Sequence, residues 1–312
     1  MVSIRRVVCP IDFSEFSRHA WIRAVAIAKS NGASLRGVHI VPIQPPLFVS
    51  HIEAKDAPPL GLARAERERL LRELIDFTAP GGADDVSIEL DVADAGSVQG
   101  EILAQAARFH ADLIVMGTHG RTGFQRLMFG SVTEKVLRTA PQPVLTVGAP
   151  AAGDAGTAGF KRILCAIDFS DCSIAALGYA LSLAEGADAH VTALNVVEWV
   201  PIGYDPIAGP PIDFAGYRIA AETSARERLH TLLVDSARKN VVVEEVVSSG
   251  KPHREILRIA EERGCDLIVL GIHGRNPVDR MLFGSTAEPV VRRATCPVLT
   301  VRAGVAADVA AA

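Results

Sequence analysis

The sequence predicts an α/β protein made of two tandem open five-stranded parallel sheets, each with strand order 3-2-1-4-5 and helices on both faces. Three observations predict it. At 312 residues the chain is about twice the usual single-domain length. Its two halves repeat one another from end to end. Within each half, strand-like apolar runs alternate with helix-like amphipathic ones, the pattern of a parallel sheet with crossover helices.

The repeat begins where Val7-Val8-Cys9-Pro10-Ile11-Asp12-Phe13-Ser14 aligns with Ile163-Leu164-Cys165-Ala166-Ile167-Asp168-Phe169-Ser170 at an offset of 156 residues. Ala111 to Arg121 then aligns with Cys265 to Arg275 at an offset of 154 residues, so the second copy is shorter in its middle. Pro143-Val144-Leu145-Thr146-Val147 and Pro297-Val298-Leu299-Thr300-Val301 close the two copies. Residues 148–159 have linker composition, which divides the chain into domains 1–147 and 160–303 and a flexible tail 304–312.

In the first copy, strand one is Arg6 to Ile11. A helix follows from Ser14 as N-cap, burying Ala20, Trp21, Ala24, Val25 and Ala28 and stopping at Asn31-Gly32. Strand two is Ser34 to Val41, followed by a Pro-rich loop through Pro59. Helix two runs from Leu62 to Phe77, with Leu70, Leu71, Leu74 and Ile75 facing the core and Arg64, Glu68 and Arg72 outside. Glu66-Arg67-Glu68-Arg69 reads as a solvated face. Strand three, Val86 to Val92, alternates like an edge. Helix three, Val98 to Phe109, turns Ile102, Leu103 and Ala106 inward. Strand four, Asp112 to Met116, is continuously apolar and therefore central. Helix four starts at Ser131 and strand five is Val144 to Val147.

Right-handed crossovers make strands one and four neighbours whose connections leave in opposite directions. Ligands of open α/β sheets bind at that switch point, beyond the strand C-termini. Asp12 and Gly117 stand there. The loop reads Gly117-Thr118-His119-Gly120, nine residues, then Gly130-Ser131, and it recurs as Gly271-Ile272-His273-Gly274, nine residues, then Gly284-Ser285. Glycines at a strand end allow positive φ and let backbone amides approach an anion. A Gly-Ser pair opening a helix sets amide donors, a hydroxyl and the positive helix end at one point. Arg121 and Arg126, repeated as Arg275 and Arg280, put cations nearby. Other readings stand beside these: a structural glycine turn, Asp12 as a helix cap, His119 and His273 as loop packing or a phosphate hydrogen bond, and the arginines as a solvated face.

This G-x-x-G-x9-G-S pattern, with an aspartate after strand one, resembles the nucleotide-binding motif of the ATP-binding branch of the universal stress protein family. The resemblance covers nearly the whole chain. It implies that Asp12 meets the ribose and adenine, flanked by Pro10 and Ile11, and that the backbone of Ile40 faces adenine. Gly117, Gly120, Gly130 and Ser131 would cradle the phosphates and Thr133 would add a hydroxyl, with Met116, His119, Arg121 and Val132 also in the pocket. The second-copy counterparts are Ala166, Ile167, Asp168, Val196, Leu270, Gly271, His273, Gly274, Arg275, Gly284, Ser285 and Thr286. The ligand implied is ATP or another adenine nucleotide, with Mg2+ carried by its phosphates rather than by a protein cage.

Composition bounds the rest. Hydrophobic residues at 49%, charged residues at 22% and a formal net charge of -4 fit a globular protein and give nucleic acid no basic footprint. Apolar runs are strand-length, so no membrane span or export signal is read. Five cysteines, with no C-x-x-C pair, fit a reducing cytoplasm, and Cys9 and Cys165 read as small buried hydrophobes. No G-x-x-x-x-G-K-[ST], G-x-S-x-G or H-E-x-x-H occurs, so no catalytic or metal-ligating set is expected. The functional expectation is a stress-response regulator that binds adenine nucleotide in one or both copies and hydrolyses it weakly at most. The alternatives are an adenine-nucleotide enzyme and an interaction module that binds no nucleotide. The apolar fifth strands predict an internal pseudo-dimer of the two copies, with a homodimer also open and the client protein unspecified.

Overall fold

The computed structural model describes residues 2–43, 61–79, 85–119, 130–148, 159–198, 214–236, 241–273 and 283–303. The chain divides into two compact units, Ser3–Gly159 and Phe160–Ala312, the latter together with Met1–Val2. Each is described by itself.

In the first unit, β1 (Arg6–Pro10), β2 (Ser34–Pro42), β3 (Ile88–Ala95), β4 (Leu113–Gly117) and β5 (Val144–Val147) alternate with α1 (Glu15–Asn31), α2 (Arg64–Thr78), α3 (Val98–Arg108) and α4 (Ser131–Thr139). The strands are parallel and lie in the order β3-β2-β1-β4-β5. The second unit has β6 (Arg162–Ala166), α5 (Asp171–Ala187), β7 (His190–Glu198), α6 (Phe214–Asp235), β8 (Val242–Gly250), α7 (Pro252–Glu262), β9 (Leu267–Gly271), α8 (Ala287–Arg293) and β10 (Val298–Val301). Its parallel order, β8-β7-β6-β9-β10, is the same. In both units the strand order is the 3-2-1-4-5 expected from sequence.

Local chemistry explains the elements. Ser14 caps α1 by accepting from the Ser17 amide at 3.2 Å, which satisfies a first-turn donor. Gly32 ends that helix at φ 61°, the left-handed position glycine occupies without a Cβ penalty. The second unit uses Asp188 in the same slot at φ 51°, a residue type that tolerates the conformation. Central strands β4 and β9 carry unbroken apolar runs because both faces are covered by helices. Asp112 accepts from the amides of Arg5 and Arg6 at 2.8 and 2.9 Å, tying the start of β4 to that of β1. Asp266 does the same for Lys161 and Arg162 at 2.7 and 3.0 Å.

Two side-chain expectations change on α2. Ile75 is exposed, at 49%, while Leu70, Leu74 and Phe77 are buried. The buried stripe runs i, i+4, i+7 through Leu70, and Ile75 lies about 100° round the helix from Leu74. Arg67 also leaves the solvated face, its guanidinium bonding the Val92 carbonyl and the Asp94 carboxylate, the latter at 2.5 Å, so it clamps α2 onto β3. Its neighbours behave as a solvated face should: Arg69 pairs with Glu66 at 2.6 Å and Arg64 with Glu68 at 2.9 Å. Cys9 and Cys165 are fully buried, and burial pushes both thiols far above their ordinary range. Among the described residues, no helix is long and apolar enough to cross a membrane, and no group of three or more His, Cys, Asp or Glu side chains could hold a metal ion.

Candidate functional site

Because all five strands of a unit are parallel, every strand delivers its C-terminal residue to the same end. In the first unit β1 and β4 are adjacent there. The Ile11 amide still bonds the Val38 carbonyl of β2 at 2.8 Å, so Asp12 leaves the sheet at its rim. The Asp12 carboxylate then accepts from both the amide and the hydroxyl of Ser14, at 3.0 and 2.6 Å. The capping residue is therefore Ser14, and Asp12 braces the cap from below. The second unit repeats this, with Ser170 donating to Asp168 at 3.0 and 2.5 Å and capping α5 through the Ser173 amide at 3.3 Å.

Between carboxylate and cap lies a strained residue in each unit. Phe13 has φ 63° and Phe169 φ 64°, a left-handed conformation that costs a bulky L-residue about 1–2 kcal/mol. Ring contacts offset the strain. Phe13 lies 4.4 Å from the His39 ring and meets Phe77 edge-on at 5.5 Å. The Arg228 guanidinium covers Phe169 at 4.1 Å. Behind the loop, His39 Nδ1 donates to the Ile11 carbonyl at 2.7 Å, and Asn195 Nδ2 donates to Ile167 at the same distance. These clamps escaped the sequence reading. A polar residue inside an apolar strand, in matching positions of both copies, was the signal that could have found them.

The strand-four side closes through main-chain bonds. Thr118 donates its amide to Val147 at 3.0 Å, and the Gly130 amide returns to the Thr118 carbonyl at 2.9 Å. Ile272 to Val301 at 2.9 Å and Gly284 to Ile272 at 3.1 Å repeat the pattern. Asp12, Gly117, His119, Gly130 and Ser131 thus gather at one sheet end, and Asp168, Gly271, His273 and Gly284 gather in the other unit. The Ile11, Ile40, Met116, Ile167 and Leu270 side chains are core, so only their backbone can face a ligand. Ser131 is exposed, while Pro10, Val132, Ala166, Val196 and Thr286 are partly exposed. Gly120, Arg121, Arg126, Gly274, Arg275 and Arg280 lie outside the described residues.

Three expectations about this loop are corrected. None of Gly117, Gly130, Gly271 and Gly284 is among the residues at positive φ. Close approach requires them instead: a Cβ on Gly117 would stand 2.9 Å from the Phe16 carbonyl carbon, and one on Gly271 2.7 Å from Cys172 Cβ. The Thr133 hydroxyl, expected to face a ligand, is buried and donates to the Gly117 carbonyl at 2.9 Å, so its one proton is committed. Ser285 does not open a helix. Ala287 stands where Thr133 does, that tie is missing, and α8 begins only at Ala287, after a turn through Ser285 and Thr286. The Glu288 amide still bonds the Gly284 carbonyl at 3.0 Å, as the Glu134 amide bonds that of Gly130 at 2.9 Å, and the interruption before α8 falls at Pro289, which has no amide to give Ser285.

The histidines are held differently. His119 packs on Phe16 at 4.9 Å, its Nδ1 2.9 Å from the Thr118 hydroxyl. His273 Nε2 accepts from the Arg302 guanidinium at 2.9 Å. Burial pulls the pKa of Arg302 down, Cys172 opposing, and this cation at the site was also not read from sequence.

The family model described as the Universal stress protein family matches residues 3–148 and again 159–302. The chain belongs to this family. Universal stress protein MJ0531 of Methanocaldococcus jannaschii is 32% identical over 145 residues, which span 46% of this chain and 82% of that protein. Universal stress protein YxiE of Bacillus subtilis is 33% identical over 147 residues, covering 46% of this chain and 99% of its own. A crystal structure of a universal stress protein from Archaeoglobus fulgidus matches with a TM-score of 0.63 at 22% identity, across 97% of this chain and 99% of that one. That likeness shows the fold. In this universal stress protein the glycine loop and the braced aspartate meet at the switch point of each unit.

Proposed function

We propose that this universal stress protein is a cytoplasmic regulator that binds ATP or a related adenine nucleotide at the switch point of one or both units. The single observation that carries the reading is the repeated construction at that point. A carboxylate is held by its own helix cap at the strand-end rim that also carries the close-packed Gly117 or Gly271. In this reading the Asp12 and Asp168 carboxylates would accept from ribose hydroxyls, and the first-turn amides of α4 would meet phosphate. Mg2+ would be carried by the phosphates. The Ser14 and Ser170 hydroxyls donate to aspartate and accept from the cap amide, so both are tied into structure rather than poised as nucleophiles. This favours binding over turnover. Association of the two units through their apolar fifth strands belongs to the same proposal, and small-angle scattering that shows independently tumbling units would remove that part.

The test is to denature purified protein and identify any nucleotide released, then to titrate nucleotide-free protein with ATP, ADP and AMP by calorimetry. Binding that is lost in Asp12→Ala or Asp168→Ala supports the reading. No heat with any of the three nucleotides, in protein that releases none, leaves the interaction-module alternative ahead.

A further inference from the structure

Of the five cysteines, Cys9, Cys165 and Cys172 are buried, whereas Cys265 and Cys296 are partly exposed. The two reachable thiols both belong to the second unit and stand at corresponding helix-to-strand joints. Cys265 ends the turn that leaves α7: Gly264 sits at φ 57° and the Cys265 amide returns to the Ala260 carbonyl at 2.8 Å, the closing bond of a left-handed helix end. Cys296 lies in the turn that leaves α8, just before Pro297. Right-handed crossovers put α7 and α8 on one face of the sheet, and the two helices pack against each other. The strands they lead into, β9 and β10, are neighbours with Val298 opposite Ile268. The Ile268 amide bonds the Pro297 carbonyl at 3.0 Å, so the pairing holds up to the joint. Carried back from there, the register leaves Cys296 opposite Asp266, one residue along from Cys265. A strand spacing of about 4.8 Å and a rise of about 3.3 Å per residue put the two Cα atoms roughly 6 Å apart, inside the range of about 4.4–6.8 Å that a disulfide spans. Electrostatics agrees with that proximity: burial foremost, then Cys265 and Asp266, push the Cys296 thiol up to about 12, the amides of Cys296 and Ile268 opposing. The first unit has Ala111 and Gln142 at the matched positions.

We propose that Cys265 and Cys296 form a redox-modification site of the second unit, a dithiol that a hydroperoxide converts to an intrachain disulfide. Cys265 is the attacking thiol, because burial and then Asp266 raise it only to about 11, Arg263 and Arg162 opposing. With hydrogen peroxide its thiolate takes one oxygen, the O–O bond breaks, the departing hydroxide picks up a proton as water, and Cys265 becomes a sulfenic acid. The Cys296 sulfur then attacks the Cys265 sulfur: the S–S bond forms, the S–O bond breaks, and hydroxide leaves with the Cys296 proton as a second water. Two thiols give up two electrons and two protons, and one peroxide becomes two waters. Because both thiols rarely ionise at neutral pH, the reaction is slow there and quickens as pH rises. The bond ties the α7–β9 joint to the α8–β10 joint and closes β9 and α8 into a ring, a constraint on the second unit that the first cannot acquire.

The test exposes the full chain to hydrogen peroxide, blocks the remaining thiols with N-ethylmaleimide and maps the unreduced peptides by mass spectrometry. The wild type should yield a peptide cross-linked between Cys265 and Cys296 within one chain, two hydrogens lighter than its parts, and dithiothreitol should return both thiols. The initial rate should rise about tenfold per pH unit between roughly pH 7 and 9, as the thiolate fraction does far below its pKa. Cys296→Ser should stop at a Cys265 sulfenic acid that dimedone traps, Cys265→Ser should give no cross-link, and Cys172→Ser should oxidise like the wild type. No cross-link in the wild type at the alkaline end, a cross-link that joins two chains, or one that runs through Cys172 would each overturn the proposal. The deciding readout is the wild-type peptide, so it holds even where a variant fails to fold. No nucleotide enters the reaction, and the outcome is independent of whether either unit binds one.

Discussion

Replacing Gly117 by alanine separates the two explanations of the glycine loop. A Cβ there would fall 2.9 Å from both the carbonyl carbon and Cβ of Phe16, and 3.1 Å from its carbonyl oxygen. Carbon atoms rest comfortably at about 3.5–4.0 Å, so α1 must retreat by roughly 0.6–1 Å along its contact with β4. The obstructing atoms are largely backbone, which no rotamer change can move aside. Overpacking of this kind costs about 1–3 kcal/mol. For a unit of roughly 150 residues, each kcal/mol lowers Tm by about 2–4 °C, so the first-unit transition should fall by about 2–12 °C. Differential scanning calorimetry of nucleotide-free protein reads this directly. Gly130→Ala is the internal comparison: its Cβ meets the Thr118 carbonyl oxygen at 3.1 Å and little else as closely, so its loss should be smaller. A Gly117→Ala protein that melts like the wild type yet no longer binds nucleotide would refute the packing argument and return the glycine to ligand approach.

Thr133→Val should destabilise the first unit by about 1–3 kcal/mol, because the Gly117 carbonyl loses its buried donor; urea unfolding checks it, and Ala287→Thr should move the second unit the other way. His39→Asn should lose only the ring contact with Phe13, since Asn195 makes the equivalent bond to Ile167 at 2.7 Å, whereas His39→Ala should cost about 1–3 kcal/mol more by leaving the Ile11 carbonyl bare. Saturating nucleotide, at a hundredfold over Kd, should add about 2.7 kcal/mol to the unit that binds it and raise its Tm by about 5–10 °C. Glu255 is held below the usual carboxylate range by Arg258 foremost and by Ser248. Its contribution to the second unit is therefore fully present above the unfolded carboxylate pKa and lost as pH falls through the lowered folded one. Acid unfolding curves of wild type and Glu255→Gln should accordingly converge toward low pH.

Strand order and helix placement were legible because they follow from patterns that local chemistry imposes: unbroken apolar runs at β4 and β9, and cap residues at Ser14 and Gly32. Where the candidate residues gather was legible for a topological reason, since a 3-2-1-4-5 sheet has one switch point. What each residue does there was not. Thr133 and Gly117 look like ligand contacts in one dimension, but their partners, each other and Phe16, are distant in sequence and become visible only when β4 packs beneath α1. Arg67 sits in a run of alternating charge that marks a solvated face. Its partners Val92 and Asp94 lie on another element, and no periodicity reports a cross-element clamp. Arg302 was passed over because it follows the last recognisable strand of the repeat, where only the difference from Gly148 gives it meaning.

The duplication sorts structural from functional roles without any other sequence. What both units keep serves the frame: the aspartate braced by serine, the left-handed phenylalanine, the amide clamp on the residue before the aspartate, and the glycine against the first helix. These features must persist for the strand-end rim to exist at all. What differs lies at that same rim: Phe16 against Cys172, Thr118 against Ile272, Thr133 against Ala287, and Gly148 against Arg302. These substitutions are coupled. Without the Thr118 hydroxyl the second histidine needs another holder, and Arg302 takes the place. The helix starts themselves match, the Glu134 and Glu288 amides bonding the Gly130 and Gly284 carbonyls at 2.9 and 3.0 Å, and α8 differs at Pro289, which has no amide to give Ser285.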